Sequence, residues 1–268
     1  MSKEIVLCIL EGKKPDKAIF NQLKSIFFKD RDVQFFYIGI SIYGLYNKIL
    51  SYKNDIGIDF IDIFPIIKQI ITEQHNEKEF GRFDEFLQLK QNNISEIFLF
   101  FDYDGQDKNN YIKNPNTIDE MLEFFNNETT YGKLYVNYPM VESYKHQISN
   151  KIEVVDIKNN THYKTFVASI CDKRLEQIGK IDRNDWLILF LSHLKSTNDL
   201  FHQEFKLPSH YSETQIMSQS SIYAKQKEKY IEPNKQIMVL SSFSWFLLEY
   251  LGEKLFNEWQ AIDNGANL

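Results

Sequence analysis

Cysteine, glycine, proline and long apolar runs are all scarce in this chain, and each scarcity excludes something. Cys8 and Cys171 are the only two cysteines in 268 residues and stand far apart. They form no disulfide framework, so a reduced, cytoplasmic protein is expected. Ten glycines and six prolines exclude collagen-like or loop-dominated structure. The early apolar run, residues 5–10, is too short for a signal segment and ends in charge. The later run at 243–248 falls far short of a bilayer span. No targeting segment and no membrane anchor are expected. Positive charge is not in excess either: the net charge is −6 and the isoelectric point about 5.6. That argues against a free-standing basic nucleic-acid binder. It leaves room for an enzyme whose basic surface is local or is completed by a partner. No G-x-x-x-x-G-K-[ST] phosphate loop occurs.

What the chain does have is apolar and aromatic bulk. Hydrophobic residues make up 43% and aromatics 15%, with 22 Phe and 15 Tyr, enough for one large domain or a domain with an appendage. IVLCIL (5–10) is continuously apolar, the pattern of a strand buried on both faces. Pro15-Asp16 then opens a helix with Ala18, Ile19, Leu23, Ile26 and Phe27 on one face. VQFFYI (33–38) reads as a second strand, residues 97–101 as a third and 134–136 as a fourth. Helical patterns lie between them, including a stripe of Ile63, Ile66, Ile67, Ile70 and Ile71 within an insertion at about 41–92. Pro139 is expected to begin a helix through MVESYKHQI. This alternation predicts an α/β layer built on a parallel sheet flanked by helices. Beyond residue 160 the periodicity turns helical, with one late strand expected to enter the sheet at 236–240. The expected division is an α/β domain over 1–158 and a mainly helical region over 159–268.

In an open parallel sheet, ligands bind outside the carboxyl ends of the strands. Three expected strands carry acid there. The first ends at Glu11, the third at Asp102 and Asp104 in FLFFDYDGQD, and the fourth runs through Tyr138-Pro139 to Glu142. An acid after a strand is often only a turn or a cap, and Glu142 in a first helical turn also suits the helix dipole. Together, hard oxygen ligands at neighbouring strand ends suit Mg²⁺ or Mn²⁺. Such an ion would offset the repulsion between Asp102 and Asp104, supply a nucleophilic hydroxide and stabilise displacement at phosphorus.

A strand ending in Glu-Gly with an acid shortly after it (ILEGKKPD, 9–16), and a later strand ending in Asp-x-Asp (FFDYDGQD, 100–107), resemble the Toprim domain. LYVNYPMVESYKH (134–146) resembles the strand and helix that follow in Toprim nucleases of bacterial defence, similar to the overcoming-lysogenization-defect nucleases and their stand-alone, ATPase-partnered relatives. The resemblance covers roughly residues 1–150. It implies a Toprim-like Rossmannoid fold and a metal-dependent nuclease of DNA or RNA acting in antiphage defence. By it, Glu11 is the catalytic acid or base near the metal, Asp102 and Asp104 are metal ligands, and Asp16 or Glu142 completes a second site. Lys145, three residues after Glu142, is expected to stabilise phosphate charge, as are Lys13 and Lys14. The departures are a 91-residue gap between Glu11 and Asp102 (102 minus 11) and the missing phosphate loop. An ATPase would therefore be a separate protein. Homo-oligomerisation is left open.

Two rival readings remain. A nucleotide-sugar transferase would also use Asp-x-Asp after a buried strand, but leaves Glu11-Gly12 without a role. A docking module would keep the fold with an idle site. His193, His202 and His210 match no zinc spacing, and Lys225–Tyr230 reads more readily as a solvated helix face than as a phosphate contact.

Overall fold

A computed structural model describes residues 4–12, 15–56, 62–74, 83–103, 117–146, 151–157 and 160–265. The elements in order are β1 (Ile5–Leu10), α1 (Pro15–Phe27), β2 (Asp32–Tyr37), α2 (Ile42–Ile56), α3 (Ile63–Gln74), α4 (Asp84–Gln88) and β3 (Ile94–Asp102). There follow α5 (Thr117–Phe124), β4 (Asn126–Asn127), β5 (Gly132–Asn137), β6 (Val154–Asp156) and α6 (Asn160–Ile170). The chain continues with α7 (Arg183–His202), α8 (Gln219–Gln226), β7 (Gln236–Met238) and α9 (Ser242–Asp263).

The main sheet has five strands in the order β2-β1-β3-β5-β4. β1 pairs in parallel with β2 and with β3, and the short β4 pairs antiparallel with β5. The result is a Rossmann-like, mostly parallel sheet flanked by helices, with a helical C-terminal part, as the strand–helix alternation predicts. All six residues of β1 are buried. A strand hydrogen-bonded on both edges and covered on both faces has no position for a polar side chain, which explains its unbroken apolar run.

Contacts divide the chain differently from the expected boundary near residue 158. One compact unit comprises Met1–Phe101 and Asn109–Leu134; the other comprises Asp102–Lys108 and Tyr135–Leu268. In the first unit, successive residues of β2 point to opposite faces. Phe35 meets Phe20 of α1 at 5.8 Å between ring centroids, and Phe36 meets Phe86 of α4 at 4.9 Å. Phe20 also packs edge-on against Phe100 of β3, at 4.7 Å. The isoleucine stripe faces inward: Ile63, Ile66, Ile67, Ile70 and Ile71 of α3 are all buried. Lys68 on its polar side donates to the carbonyls of Leu87 and Leu89 at 2.7 and 2.6 Å, satisfying the end of α4.

In the second unit, α7 and α9 are joined through tryptophan. Trp245 Nε1 donates to Thr197 Oγ1 and Trp259 Nε1 to the Leu187 carbonyl, each at 2.9 Å. α7 begins at Asp182, whose side chain accepts from the Asp185 N–H. α9 breaks at Gly252, where φ 67° and ψ −153° suit a residue without a Cβ. The late strand exists but does not join the main sheet. β7 pairs antiparallel with β6 as a separate two-stranded sheet, and an isolated bridge links Leu240 to Tyr138. Gln226 explains part of this: its side-chain amide binds both the N–H and the C=O of Met238, occupying backbone groups that a further ladder would need. No described helix is long and apolar enough to cross a membrane.

Candidate functional site

The acid at the end of β1 is fixed through the backbone. β1 and β3 run in register as far as Leu10 and Phe100, and the Glu11 N–H extends that ladder by donating to the Phe100 carbonyl at 3.1 Å. Glu11 is half-buried. Asp16, in the first turn of α1, is 3% exposed. Its Oδ2 lies 2.5 Å from where a Cβ on Gly12 would stand. A side chain at position 12 would therefore have to displace the Asp16 carboxyl. Lys13 and Lys14 lie outside the described residues.

Asp102 is the last residue of β3 and is half-buried. Its Oδ1 accepts from Asn137 Nδ2 at 3.3 Å. Asn137 ends β5 and is fully buried. Its side-chain oxygen accepts both the backbone N–H and the hydroxyl of Ser242, at 3.0 and 2.9 Å, and its main-chain carbonyl accepts from the Tyr103 N–H at 2.9 Å. The amide has one orientation that satisfies all of these groups. It therefore fixes one oxygen of Asp102 at the end of the strand. Asp104 lies outside the described residues, as do Gly105 and Asp107.

After the cis Tyr138–Pro139 bond, the expected helix is a single 3-10 turn, Val141–Lys145. This changes the neighbourhood of Glu142. Its side chain is 6% exposed, and Oε1 lies 2.8 Å from Lys164 Nζ of α6, itself 66% exposed. The pair is electrostatic, since the ammonium is not aligned for a hydrogen bond to that oxygen. The cation at Glu142 is Lys164, a residue that the sequence pattern did not single out. Lys145 is half-buried on the same turn.

Two further groups surround this turn. His146 Nδ1 lies 2.9 Å from the Tyr163 hydroxyl. Burial holds the His146 imidazole below its ordinary pKa. It also pushes the Tyr163 phenol well above its own, with further upward pressure from Glu142, Asp102 and Glu153. Three carboxylates thus act on one buried hydroxyl, which stays protonated and can donate to a neutral imidazole. His193 is a satisfied core residue. It is fully buried, held neutral with its pKa lowered to about 4, and bound between the Tyr144 carbonyl and the Ser241 N–H. His202 and His210 are exposed. The basic stretch after α8 is used internally: Lys225 pairs with Glu228 at 2.8 Å, and Lys229 donates to the Leu200 carbonyl at 2.6 Å.

Oxygen donors of the kind found here suit a hard divalent cation. Among the described residues, no three His, Cys, Asp or Glu side chains form a group able to hold one, and Asp104 is not among those residues. Sequence reasoning missed Asn137, Tyr163, Lys164 and Ser242. Asn137 alone carried a readable signal, as a polar residue closing an otherwise apolar strand. No protein-family model matches the chain, and no curated protein or solved structure matches it significantly.

Proposed function

We propose that the protein is a metal-dependent phosphodiester hydrolase acting on DNA or RNA, with Glu11 as acid or base and Asp102 and Asp104 as ligands of Mg²⁺ or Mn²⁺. The observation that supports it best is the ending of two adjacent parallel strands: β1 runs into Glu11 and β3 ends in Asp102, the edge at which such sheets bind ligands. The bound ion would supply charge stabilisation and an activated water. The chain's own contribution is orientation. Asn137 fixes one oxygen of Asp102, and the Glu11 N–H holds its backbone in the ladder. Glu142 enters as a second-site ligand only if Lys164 yields its place. By the same reading, the enzyme is an antiphage effector working with a separate ATPase.

The test is cleavage of labelled DNA and RNA with Mg²⁺ or Mn²⁺, by the protein alone and with the products of neighbouring genes. Glu11→Gln and Asp102→Asn should each lower the rate by about a thousandfold with an unchanged melting temperature. Wild-type rates in either variant would remove the assignment.

A further inference from the structure

β3 ends at Asp102, and the residue after it is packed as deeply as the core. Tyr103 is 6% exposed. Its ring rests on Tyr138 at 5.8 Å and on Tyr223 at 6.3 Å between centroids. Its N–H donates to the Asn137 carbonyl at 2.9 Å. In the sequence Tyr103 stands between Asp102 and Asp104, the two acids assigned to the ion. Side chains alternate in direction along an extended chain. With Tyr103 buried, Asp102 before it is left only half-buried at the strand end.

Both rings that seat Tyr103 are themselves held. Tyr138 and Leu240 exchange two backbone hydrogen bonds, at 2.8 and 2.9 Å. Tyr223 stands on α8, whose first and last residues each grip the main chain elsewhere. Gln219 accepts from the Val136 N–H of β5 at 3.3 Å, and Gln226 binds the N–H and C=O of Met238. The aromatic seat is thus tied to β5, α8 and β7 at once. All of these residues belong to the second unit, as does Asp102.

We propose that Tyr103 is a positioning residue of the candidate site. Its ring, seated on Tyr138 and Tyr223, fixes the backbone from which Asp102 projects, while Asn137 fixes one oxygen of the same carboxylate. This rests on the nuclease reading and deepens it, because α8 and the segment after β5 then belong to the machinery that aims Asp102. The physical need is precision. A carboxylate displaced by about 1 Å can cost a hundredfold in rate, and groups that orient a ligand matter nearly as much as the ligand itself. A ring that only filled space could be exchanged for another apolar side chain at a cost in stability alone.

The test uses the full-length protein, with Mn²⁺ affinity from calorimetry and kcat and KM from cleavage of labelled oligonucleotides. Tyr103→Leu keeps the position apolar and removes the ring. It should weaken Mn²⁺ binding and lower kcat about tenfold each, while KM changes by less than about threefold. Tyr103→Phe should bring both back to within about threefold of wild type. Tyr223→Leu, which empties the seat from α8, should give a smaller loss in the same direction, and it decides the matter alone if Tyr103→Leu does not fold. Phe256→Leu is the control for lost packing. That ring is buried against Tyr211 at 5.9 Å, well along α9, and its loss should lower the melting temperature without changing affinity or kcat. Unchanged affinity and kcat in Tyr103→Leu and Tyr223→Leu overturn the inference, as does an equal loss in Phe256→Leu. Asp102→Asn separates the two readings. If it loses Mn²⁺ while Tyr103→Leu keeps it, the positioning role alone is wrong; if wild type neither binds Mn²⁺ nor cleaves, the nuclease reading falls and takes this role with it.

Discussion

The acids after β1 and the acids of the second unit are held by different physics. Glu11 and Asp16 depend on backbone and close packing: a ladder hydrogen bond to Phe100 and a glycine without a Cβ. Around Asp102 and Glu142 the holding groups are side chains from distant parts of the sequence. Ser242 is 105 residues from Asn137, and α6 brings up Lys164. A locally built feature is encoded in a few neighbouring residues. A network built over such separations exists only once the unit has folded, and loses most when one member is removed.

The largest expected effect tests that contrast at Asn137. Asn137→Leu deletes a buried amide that serves Asp102 and both groups of Ser242. It should cost about 3–5 kcal/mol in denaturant unfolding, because donors are left buried and unmet. A cost below 1 kcal/mol would show that the network does not organise this unit. In the first unit the sharpest break is Gly12→Ala. The new Cβ must displace the Asp16 carboxylate from 2.5 Å, at about 2 kcal/mol. Asp16→Ala should relieve much of that, giving a coupling of about 1 kcal/mol in a double-mutant cycle. Additive effects would mean that the turn opens without involving Asp16.

How much could be read beforehand follows the same division. β1, the helix opened by Pro15-Asp16, the isoleucine stripe of α3 and the apolar run into Asp102 are visible because each is a local periodicity. The Glu11-Gly12 turn was visible as a motif. The close approach of the Asp16 carboxyl to Gly12 was not. The separate β6–β7 sheet was hidden because β6 has only three residues, and its pairing depends on a strand about eighty residues on. The turn at Glu142 is shorter than the helix its pattern suggests. Lys164 was hidden because it is brought to Glu142 only by tertiary packing. Which histidine is buried was not legible either: His193 is satisfied in the core, and His202 and His210 are exposed.

His193 gives an effect of about 2 kcal/mol, read through pH. Its folded pKa is lowered to about 4 from 6.5, so between those values the unfolded chain binds the extra proton. Stability is therefore present above pH 6.5 and is lost as pH falls toward 4. Acidification from pH 7 to 5 should cost about 2 kcal/mol from this residue. The lowered pKa of His146 acts in the same direction. His193→Gln should flatten the profile. A variant with an unaltered profile would place the loss elsewhere.

The smallest change asks whether the second unit's polar groups are structural or poised for a ligand. Lys164→Ala removes the ammonium beside the buried Glu142 carboxylate. Because the lysine is 66% exposed, water screens it and the cost should be only about 1 kcal/mol. Adding Glu142→Gln should recover most of it, since no buried charge is then left without a partner. The same variant bears on the cation. If Lys164 occupies the place of a second ion, its removal lifts a repulsion, and Mn²⁺ affinity measured by calorimetry should rise about tenfold. Glu142→Gln should abolish the gain. An affinity unchanged by Lys164→Ala would remove Glu142 from the ligand set. Glu142 and Lys164 would then be a structural ion pair, and the ion-binding acids would reduce to those at the ends of β1 and β3.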